Sequence, residues 1–205
     1  MRGKGLWNLM ARRYARQAIA DEAAYQRKLE MTQAHLRPDM RVLELGCGTG
    51  STALAHAPFV SQIEATDYAQ NMIDIAKEKR AAAGVGNVRF SVGSAEAPDF
   101  APASFDAVLA LNLLHLLEEP EAAIASCRKL LRPGGVFVTS TFPLADRAAW
   151  LRRLRWILPV TLSFFDDKML HDMITAGGFT ITESWTPDAA AATFIIAHAD
   201  QTEAT

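Results

Sequence analysis

Short apolar runs alternate with amphipathic stretches along the 205-residue chain. Apolar or alternating runs predict strands, and apolar residues at three- and four-residue spacing predict helices. The strands are expected at residues 42–45, 61–66, 88–92, 104–111, 136–140, 179–185 and 192–198. The helices are expected at residues 51–57, 69–83, 120–131, 145–158 and 164–176, after a helical segment at 5–36 that is interrupted near Asp21. Strands that alternate with helices predict an α/β fold around a parallel sheet.

The first strand runs directly into a turn with glycines at alternate positions, Gly46, Gly48 and Gly50, followed by a helix start at Ser51. Glycines adopt backbone angles closed to other residues and let a ligand approach the main chain, while a helix start offers unpaired N–H groups. The pattern predicts a nucleotide-binding turn, and an ordinary glycine-rich turn is the alternative. A dinucleotide fingerprint would need glycine where Ser51 stands.

Asp67 follows the second strand, 17 residues beyond Gly50. An acidic residue about 20 residues after such a turn binds ribose hydroxyls in nucleotide folds, because a carboxylate accepts two hydrogen bonds from a vicinal diol. We therefore predict that Asp67 binds ribose, with a plain helix cap as the alternative.

The acidic residue before the turn completes the sequence Glu44-x-Gly46-x-Gly48-x-Gly50, which resembles motif I of the class I S-adenosylmethionine-dependent methyltransferases. A Leu-Arg-Pro-Gly-Gly turn that ends at Gly135 resembles the turn before the fifth strand of that family. The matches run in order from about Val42 to Ser140. The resemblance implies a Rossmann-like three-layer sandwich with a seven-stranded, mostly parallel sheet of order 3-2-1-4-5-7-6, the last strand antiparallel, and an N-terminal helical cap.

The same resemblance divides one expected domain, residues 1–205, into a cap at 1–36, a cofactor-binding core at 41–140, lid-like helices at 145–178 and closing strands at 179–198. It implies S-adenosylmethionine as cofactor and S-adenosylhomocysteine as product. Met72 has plain core packing as its alternative, and Ser94 stands where the family often has an acidic residue. The implied cofactor-binding residues are Glu44, Gly46, Cys47, Gly48, Gly50, Asp67, Tyr68, Met72, Ser94, Ala95 and Asn112.

Three residues are candidates for the acceptor side of the site. The resemblance places the N-terminal helices over the pocket, which makes Trp7 and Tyr14 candidate substrate-lining residues, although either aromatic could simply fasten its helix to the core. His115 follows the fourth strand near Asn112. It could be a general base for the acceptor or a packed, hydrogen-bonded histidine, and the sequence identifies no carboxylate to orient it.

Composition and charge narrow the partners. Half of the residues are hydrophobic and the formal net charge is -2, which does not favour non-specific nucleic-acid binding. Cys47 and Cys127 have no metal-ligand spacing, so no metal is expected. The sequence has no long apolar run, so we expect a cytoplasmic protein. We also expect a monomer or a homodimer. Arg12, Arg13 and Arg16 are expected on a solvated face, whereas the basic helix at 145–158 could be a lid, a peripheral membrane contact or plain surface.

Three hypotheses follow from these patterns. The first is a methyltransferase that acts on a small-molecule or lipid-like acceptor by in-line displacement, in which orientation of the reactants supplies much of the acceleration. The second is a nicotinamide-dependent oxidoreductase that uses the same turn. The third is a non-catalytic module that binds S-adenosylmethionine.

Overall fold

The computed structural model of the chain describes residues 4–17, 19–142, 162–187 and 192–201. The helix expected at 145–158 lies outside the described residues. The strands are β1 (Arg41–Leu45), β2 (Gln62–Asp67), β3 (Val88–Val92), β4 (Phe105–Leu111), β5 (Leu131–Thr141), β6 (Phe179–Trp185) and β7 (Thr193–Ala199). The helices are α1 (Lys4–Ala15), α2 (Glu22–Gln33), α3 (Ser51–His56), α4 (Gln70–Ala83), α5 (Pro120–Leu130) and α6 (Asp167–Ala176), with short 3-10 turns at Ala57–Phe59 and Leu114–Leu116.

The seven strands form one sheet in the order β3-β2-β1-β4-β5-β7-β6. The pairs from β3 to β5 are parallel, and β7 is antiparallel to both of its neighbours. The expected fold class, strand order and antiparallel strand are therefore confirmed. Parallel strands align their ends, so β1, β2 and β4 deliver the residues that follow them to one carboxyl edge of the sheet.

Apolar side chains cover both faces of the sheet, as a three-layer architecture requires. On one face, Leu43, Val108 and Phe137 pack against α5 and α6. On the other face, Val42, Ile63 and other buried residues of the sheet pack against α3 and α4. Helices thus pack against both faces of the sheet, and the carboxyl edge of the sheet supports the turn that follows β1.

Local capping explains the expected interruption at Asp21 and one boundary that differs from its expected position. Asp21 caps α2 by accepting a hydrogen bond from the Ala24 N–H at 2.8 Å, so the long N-terminal segment divides into two helices. Asp166 caps α6 through the Met169 N–H at 2.7 Å, and this helix therefore begins at Asp167, three residues later than expected. A side-chain acceptor at a helix start satisfies one of the N–H groups that the first turn leaves unpaired.

The fifth strand also differs from its expected span. The helix α5 ends at Leu130, and β5 begins immediately at Leu131, which pairs with Phe105. The register then shifts before Val136 pairs with Ala107. Gly134 has a φ of 72°, which only glycine adopts freely. The expected turn at 132–135 is therefore an irregular start of the strand itself.

Candidate cofactor site

The three glycines after β1 all have left-handed backbone angles, with φ of 68° at Gly46, 52° at Gly48 and 77° at Gly50. A Cβ at Gly46 would lie 2.7 Å from Leu113 Cδ1, and one at Gly50 would lie 2.6 Å from Phe90 Cζ. A Cβ at Gly48 would meet only Tyr14 Cε1, at 3.9 Å. Gly46 and Gly50 thus allow close internal packing, whereas Gly48 turns its open side toward the N-terminal helices.

Asp67 ties the turn to the end of β2. Its Oδ2 accepts the Gly48 N–H at 3.0 Å, and its Oδ1 accepts the Ala69 N–H at 2.9 Å. Burial raises the pKa of the Asp67 carboxyl, although the backbone N–H groups of Ala69, Gly48 and Tyr68 oppose the shift. The N-cap residue of α4 is Ala69, so Asp67 does not cap this helix. The carboxylate oxygens can accept further bonds, and ribose binding by Asp67 stays a prediction.

Glu44 is a buried carboxyl group at the same edge. Its side chain is 3% exposed, and its Oε2 has no hydrogen-bond partner among the described residues. Burial, with the nearby Asp67 charge, raises the Glu44 pKa to about 8. An unpartnered buried carboxyl group costs stability, so it suits a site that receives a cation or a donor from a ligand.

The N-terminal helices reach this edge through aromatic side chains. Trp7 packs on Ala69 and Met72, and its ring contacts that of Tyr14 edge to face with centroids 6.1 Å apart. Burial and the nearby Asp67 carboxylate raise the Tyr14 pKa. Trp7 therefore fastens α1 to α4, while Tyr14, 45% exposed, lies at the mouth of the glycine turn.

Two residues of the site were missed by the sequence interpretation. The pattern identified Tyr25 only as an apolar position of a helix, but its hydroxyl interacts with Thr52, and Glu44 and burial raise its pKa. Lys79 Nζ donates to Thr49 Oγ1 and Ser51 Oγ, each at 2.9 Å, and so holds the turn from α4. Only the tertiary structure brings these elements to the turn.

The remaining cofactor candidates lie around the turn with different surroundings. Tyr68 has its pKa raised to about 12 by burial and by Asp67. Met72 is 2% exposed and packs on Ala11, which supports core packing. Cys47 is buried, and burial raises its thiol pKa.

The turn after β3 holds two further candidates. Ser94 Oγ accepts the Glu96 N–H at 3.2 Å, so its hydroxyl already serves the turn. Ala95 is 8% exposed and packs in the core. Ser94 also borders a cavity of about 400 Å³ on the sheet face opposite Asp67, into which Thr66 and Arg89 project. Neither Gly48 nor Asp67 lines this cavity. The space on the open side of Gly48, which faces Tyr14, is called the crevice below.

Two residues follow β4. Asn112 is exposed and has a φ of 52°, and its N–H donates to the Ser140 carbonyl at 2.7 Å. A strained angle at a strand end is typical of functional sites. The His115 Nδ1 lies 2.9 Å from Thr141 Oγ1, and burial lowers the imidazole pKa to about 4. Its ring also meets Phe142 edge to face at 5.3 Å. Among the described residues, the partner of the His115 Nδ1 is therefore the Thr141 hydroxyl and not a carboxylate.

No group of three metal-binding side chains forms within the part of the chain that the structure describes. None of the described helices has the length and apolar character needed to cross a membrane.

Comparison with known proteins agrees with this geometry. Residues 42–135 match a family described as a methyltransferase domain. An uncharacterized methyltransferase, YcgJ of Bacillus subtilis strain 168, is 33% identical over 110 residues, which cover 54% of this chain and 44% of the relative. A ubiquinone biosynthesis O-methyltransferase of Xanthomonas axonopodis pv. citri is 36% identical over 118 residues, covering 56% and 48%. The chain thus spans less than half the length of these curated relatives.

A solved structure extends the likeness in fold. The YcgJ protein from Bacillus subtilis superposes with a TM-score of 0.75 at 20% identity, over 87% of this chain and all of that chain. The glycine turn, the acidic residue after β2 and the strand order therefore occur together with a family match and a shared fold. The chain therefore matches a methyltransferase domain over residues 42–135 and shares the fold of the YcgJ structure, as the resemblance to the class I S-adenosylmethionine-dependent methyltransferases predicts.

Proposed function

We propose that the protein transfers a methyl group from S-adenosylmethionine to a small apolar acceptor. The observation that carries the proposal is the open side of Gly48, whose N–H is bound by Asp67, close to which Glu44 leaves a buried oxygen unpartnered. When bound, S-adenosylmethionine supplies a sulfonium-activated methyl group. The residues fit this ligand, because it offers a ribose diol to Asp67 and positive charge to Glu44.

In this proposal, Gly48 admits the ligand beside the main chain, and Asp67 accepts hydrogen bonds from the ribose hydroxyls. Glu44 and the nearby Tyr25 bind the amino-acid portion, and Asn112 borders the methyl group. Gly46, Gly50 and Cys47 form the turn itself, whereas Met72 and Ala95 lie in the core and Ser94 borders the separate cavity. Lys79 holds the turn in the geometry that receives the ligand.

The acceptor side of the crevice favours a flat apolar molecule. Tyr14 is 45% exposed and Phe142 is 38% exposed, and both lie next to candidate site residues. Exposed aromatic side chains at a site mouth suit aromatic or isoprenoid ligands, which bury apolar area against them. A phenol or quinol is therefore our proposed acceptor class, in agreement with the name of the relative from Xanthomonas axonopodis pv. citri. Cytoplasmic localisation and the oligomeric state stay predictions from the sequence.

His115 is the proposed general base for such an acceptor. Burial lowers the His115 pKa to about 4, so at neutral pH the imidazole is unprotonated and has a ring nitrogen available to take the proton of the acceptor, but it is a weak base. Thr141 orients the ring through Nδ1. If the hydroxyl of Thr141 donates to Nδ1, Nε2 carries the ring proton, and His115 can act as the base only after a change of tautomer. If Nδ1–H instead donates to Thr141 Oγ1, Nε2 is free to accept the proton.

Titration calorimetry with S-adenosylhomocysteine tests the cofactor assignment. Asp67→Ala should lower the affinity about 10- to 100-fold, because a hydrogen bond to a charged group contributes about 1.5–3 kcal/mol. The matched control is Asp106→Ala, which removes a carboxylate from the opposite edge of the sheet and should leave the affinity unchanged. NADH binding without S-adenosylhomocysteine binding would instead support the oxidoreductase hypothesis.

A second measurement separates an enzyme from a binding module. Transfer of a labelled methyl group to a panel of phenols and quinols should be detectable, and His115→Gln should lower kcat without weakening S-adenosylhomocysteine binding. Intact cofactor binding with no transfer to any acceptor in the panel would favour the non-catalytic module.

A further inference from the structure

The helix α1 presents its outer face to solvent although that face is partly apolar. Leu9 is 82% exposed, the largest value among the large apolar side chains that the structure describes. Met10 is 36% exposed, and Ile19, just beyond the helix, is 46% exposed. Single exposed apolar residues are ordinary, but several on one short segment mark an interaction surface.

The inner face of the same helix is firmly placed. Ala11 is fully buried, and Trp7 packs with it against α4. Asn8 accepts the Asn71 N–H through Oδ1 at 2.9 Å, and its carbonyl accepts the Asn71 side-chain amide at 2.9 Å. Since these contacts fix the rotation of α1, the exposed position of Leu9 is a property of the fold rather than of a loosely attached helix.

The charged residues of this N-terminal segment are all basic. Residues 1–20 contain five Lys or Arg residues and no Asp or Glu, whereas the whole chain has a net charge of -2. In the described part of the segment, Lys4, Arg12, Arg13 and Arg16 are all exposed. Helical spacing places Arg13 beside Leu9, one turn further along. Basic side chains that flank exposed apolar ones on one helix face are the pattern of helices that lie in a membrane interface.

We propose that the outer face of α1, formed by Leu6, Leu9, Met10, Arg12 and Arg13, docks on an anionic lipid bilayer surface. The apolar side chains enter the boundary between headgroups and acyl chains, and the arginines bind the lipid phosphates. Charge complementarity selects the occupant, because a segment with five basic and no acidic residues, on a chain of net charge -2, is attracted to a negative surface.

Docking in this orientation has a consequence for the crevice. Tyr14 is on the same helix and lies next to Gly48, so the mouth of the crevice is one helix width from the bilayer. An acceptor dissolved in the lipid would then reach the site without crossing bulk water. The docking itself depends only on α1 and holds whichever acceptor is methylated.

Co-sedimentation of the full chain with vesicles tests the proposal without any activity readout. Wild-type protein should sediment with vesicles of phosphatidylglycerol and phosphatidylcholine but not with pure phosphatidylcholine. The double variant Arg12→Gln/Arg13→Gln should reduce the partition coefficient about 30-fold at low salt, since each basic residue near an anionic surface contributes roughly 1 kcal/mol. Leu9→Gln should reduce it several-fold with the charge unchanged.

The control is Arg89→Gln/Lys129→Gln, which removes the same charge from exposed positions on β3 and α5 and should leave sedimentation unchanged. Binding of S-adenosylhomocysteine by each variant reports that the fold is intact. An equal loss of sedimentation in the control, or no sedimentation of the wild type, would overturn the proposal. So would binding of transfer RNA that depends on Arg12 and Arg13 without any vesicle binding.

Discussion

The charged groups at the carboxyl edge of the sheet and those at its amino edge differ in their burial and in their partners. At the carboxyl edge, Glu44 is buried with an unpartnered oxygen, and burial raises the pKa of the Asp67 carboxyl. At the amino edge, Asp106 accepts the Arg41 N–H at 2.7 Å and forms an ion pair with Arg132. The same sheet therefore stabilises one edge with paired charges and keeps at the other the unsatisfied groups that a ligand can use.

The largest expected effect is at the carboxyl edge. The pKa of Glu44 is raised from 4.5 to about 8, so the folded state must retain a proton that the unfolded chain releases. The folded state therefore has its full stability, as far as Glu44 is concerned, below pH 4.5, and loses stability as the pH rises from 4.5 to about 8. Glu44→Gln, which cannot ionise, should therefore increase the free energy of unfolding by about 3 kcal/mol at pH 7.

Urea unfolding at pH 7 and pH 4 measures this gain, which should disappear at pH 4 because both states are then protonated. The same variant should bind S-adenosylmethionine more weakly than the wild type does. A variant that loses stability at pH 7 would show that Glu44 has no ionisation cost in the folded protein.

A smaller effect of opposite sign is expected at the amino edge. Asp106→Ala removes the acceptor of the Arg41 N–H and the partner of Arg132, and should lower the free energy of unfolding by about 2 kcal/mol. The exposed Arg132 contributes little of this, because solvent screens exposed ion pairs. Thermal unfolding checks the loss, and altered cofactor affinity would contradict the division between the two edges.

The smallest effect at neutral pH is expected at His56, which is fully buried near the end of α3 and has no hydrogen-bond partner for either ring nitrogen among the described residues. It is an unsatisfied group outside the crevice. His56→Leu should therefore raise the free energy of unfolding by about 1 kcal/mol at pH 7 without affecting cofactor affinity.

The gain from His56→Leu should grow as the pH falls. Burial lowers the His56 pKa from 6.5 to about 4, so the wild type has its full stability above pH 6.5 and loses it as the pH falls toward 4. At pH 5 the advantage of the variant should be larger by about 2 kcal/mol. Denaturant unfolding at both pH values measures this difference, and a variant that loses cofactor binding would assign His56 to the site.

The described strands and the glycine turn were largely predictable because each depends on local signals. Short apolar runs identified the first and fourth strands, alternation identified the third, and the glycines with Asp67 predicted the cofactor edge. The start of β5 was not predictable, because Leu131 pairs with Phe105 from another part of the chain. The sequence predicted an interruption of the N-terminal helix near Asp21 but not its cause. The cause is capping by the Asp21 side chain, which accepts the Ala24 N–H.

By itself, the sequence determined the alternation of strands and helices, the turn at Gly46 to Gly50 and the acidic residue at the end of β2, because each arises from residues close together in the chain. The tertiary structure alone decided which distant groups meet. It brought Tyr25 and Lys79 to the turn, left Glu44 buried without a full set of partners, gave His115 Thr141 as its partner, and turned Leu9 outward. Burial and partner choice depend on packing between elements, which no local pattern specifies.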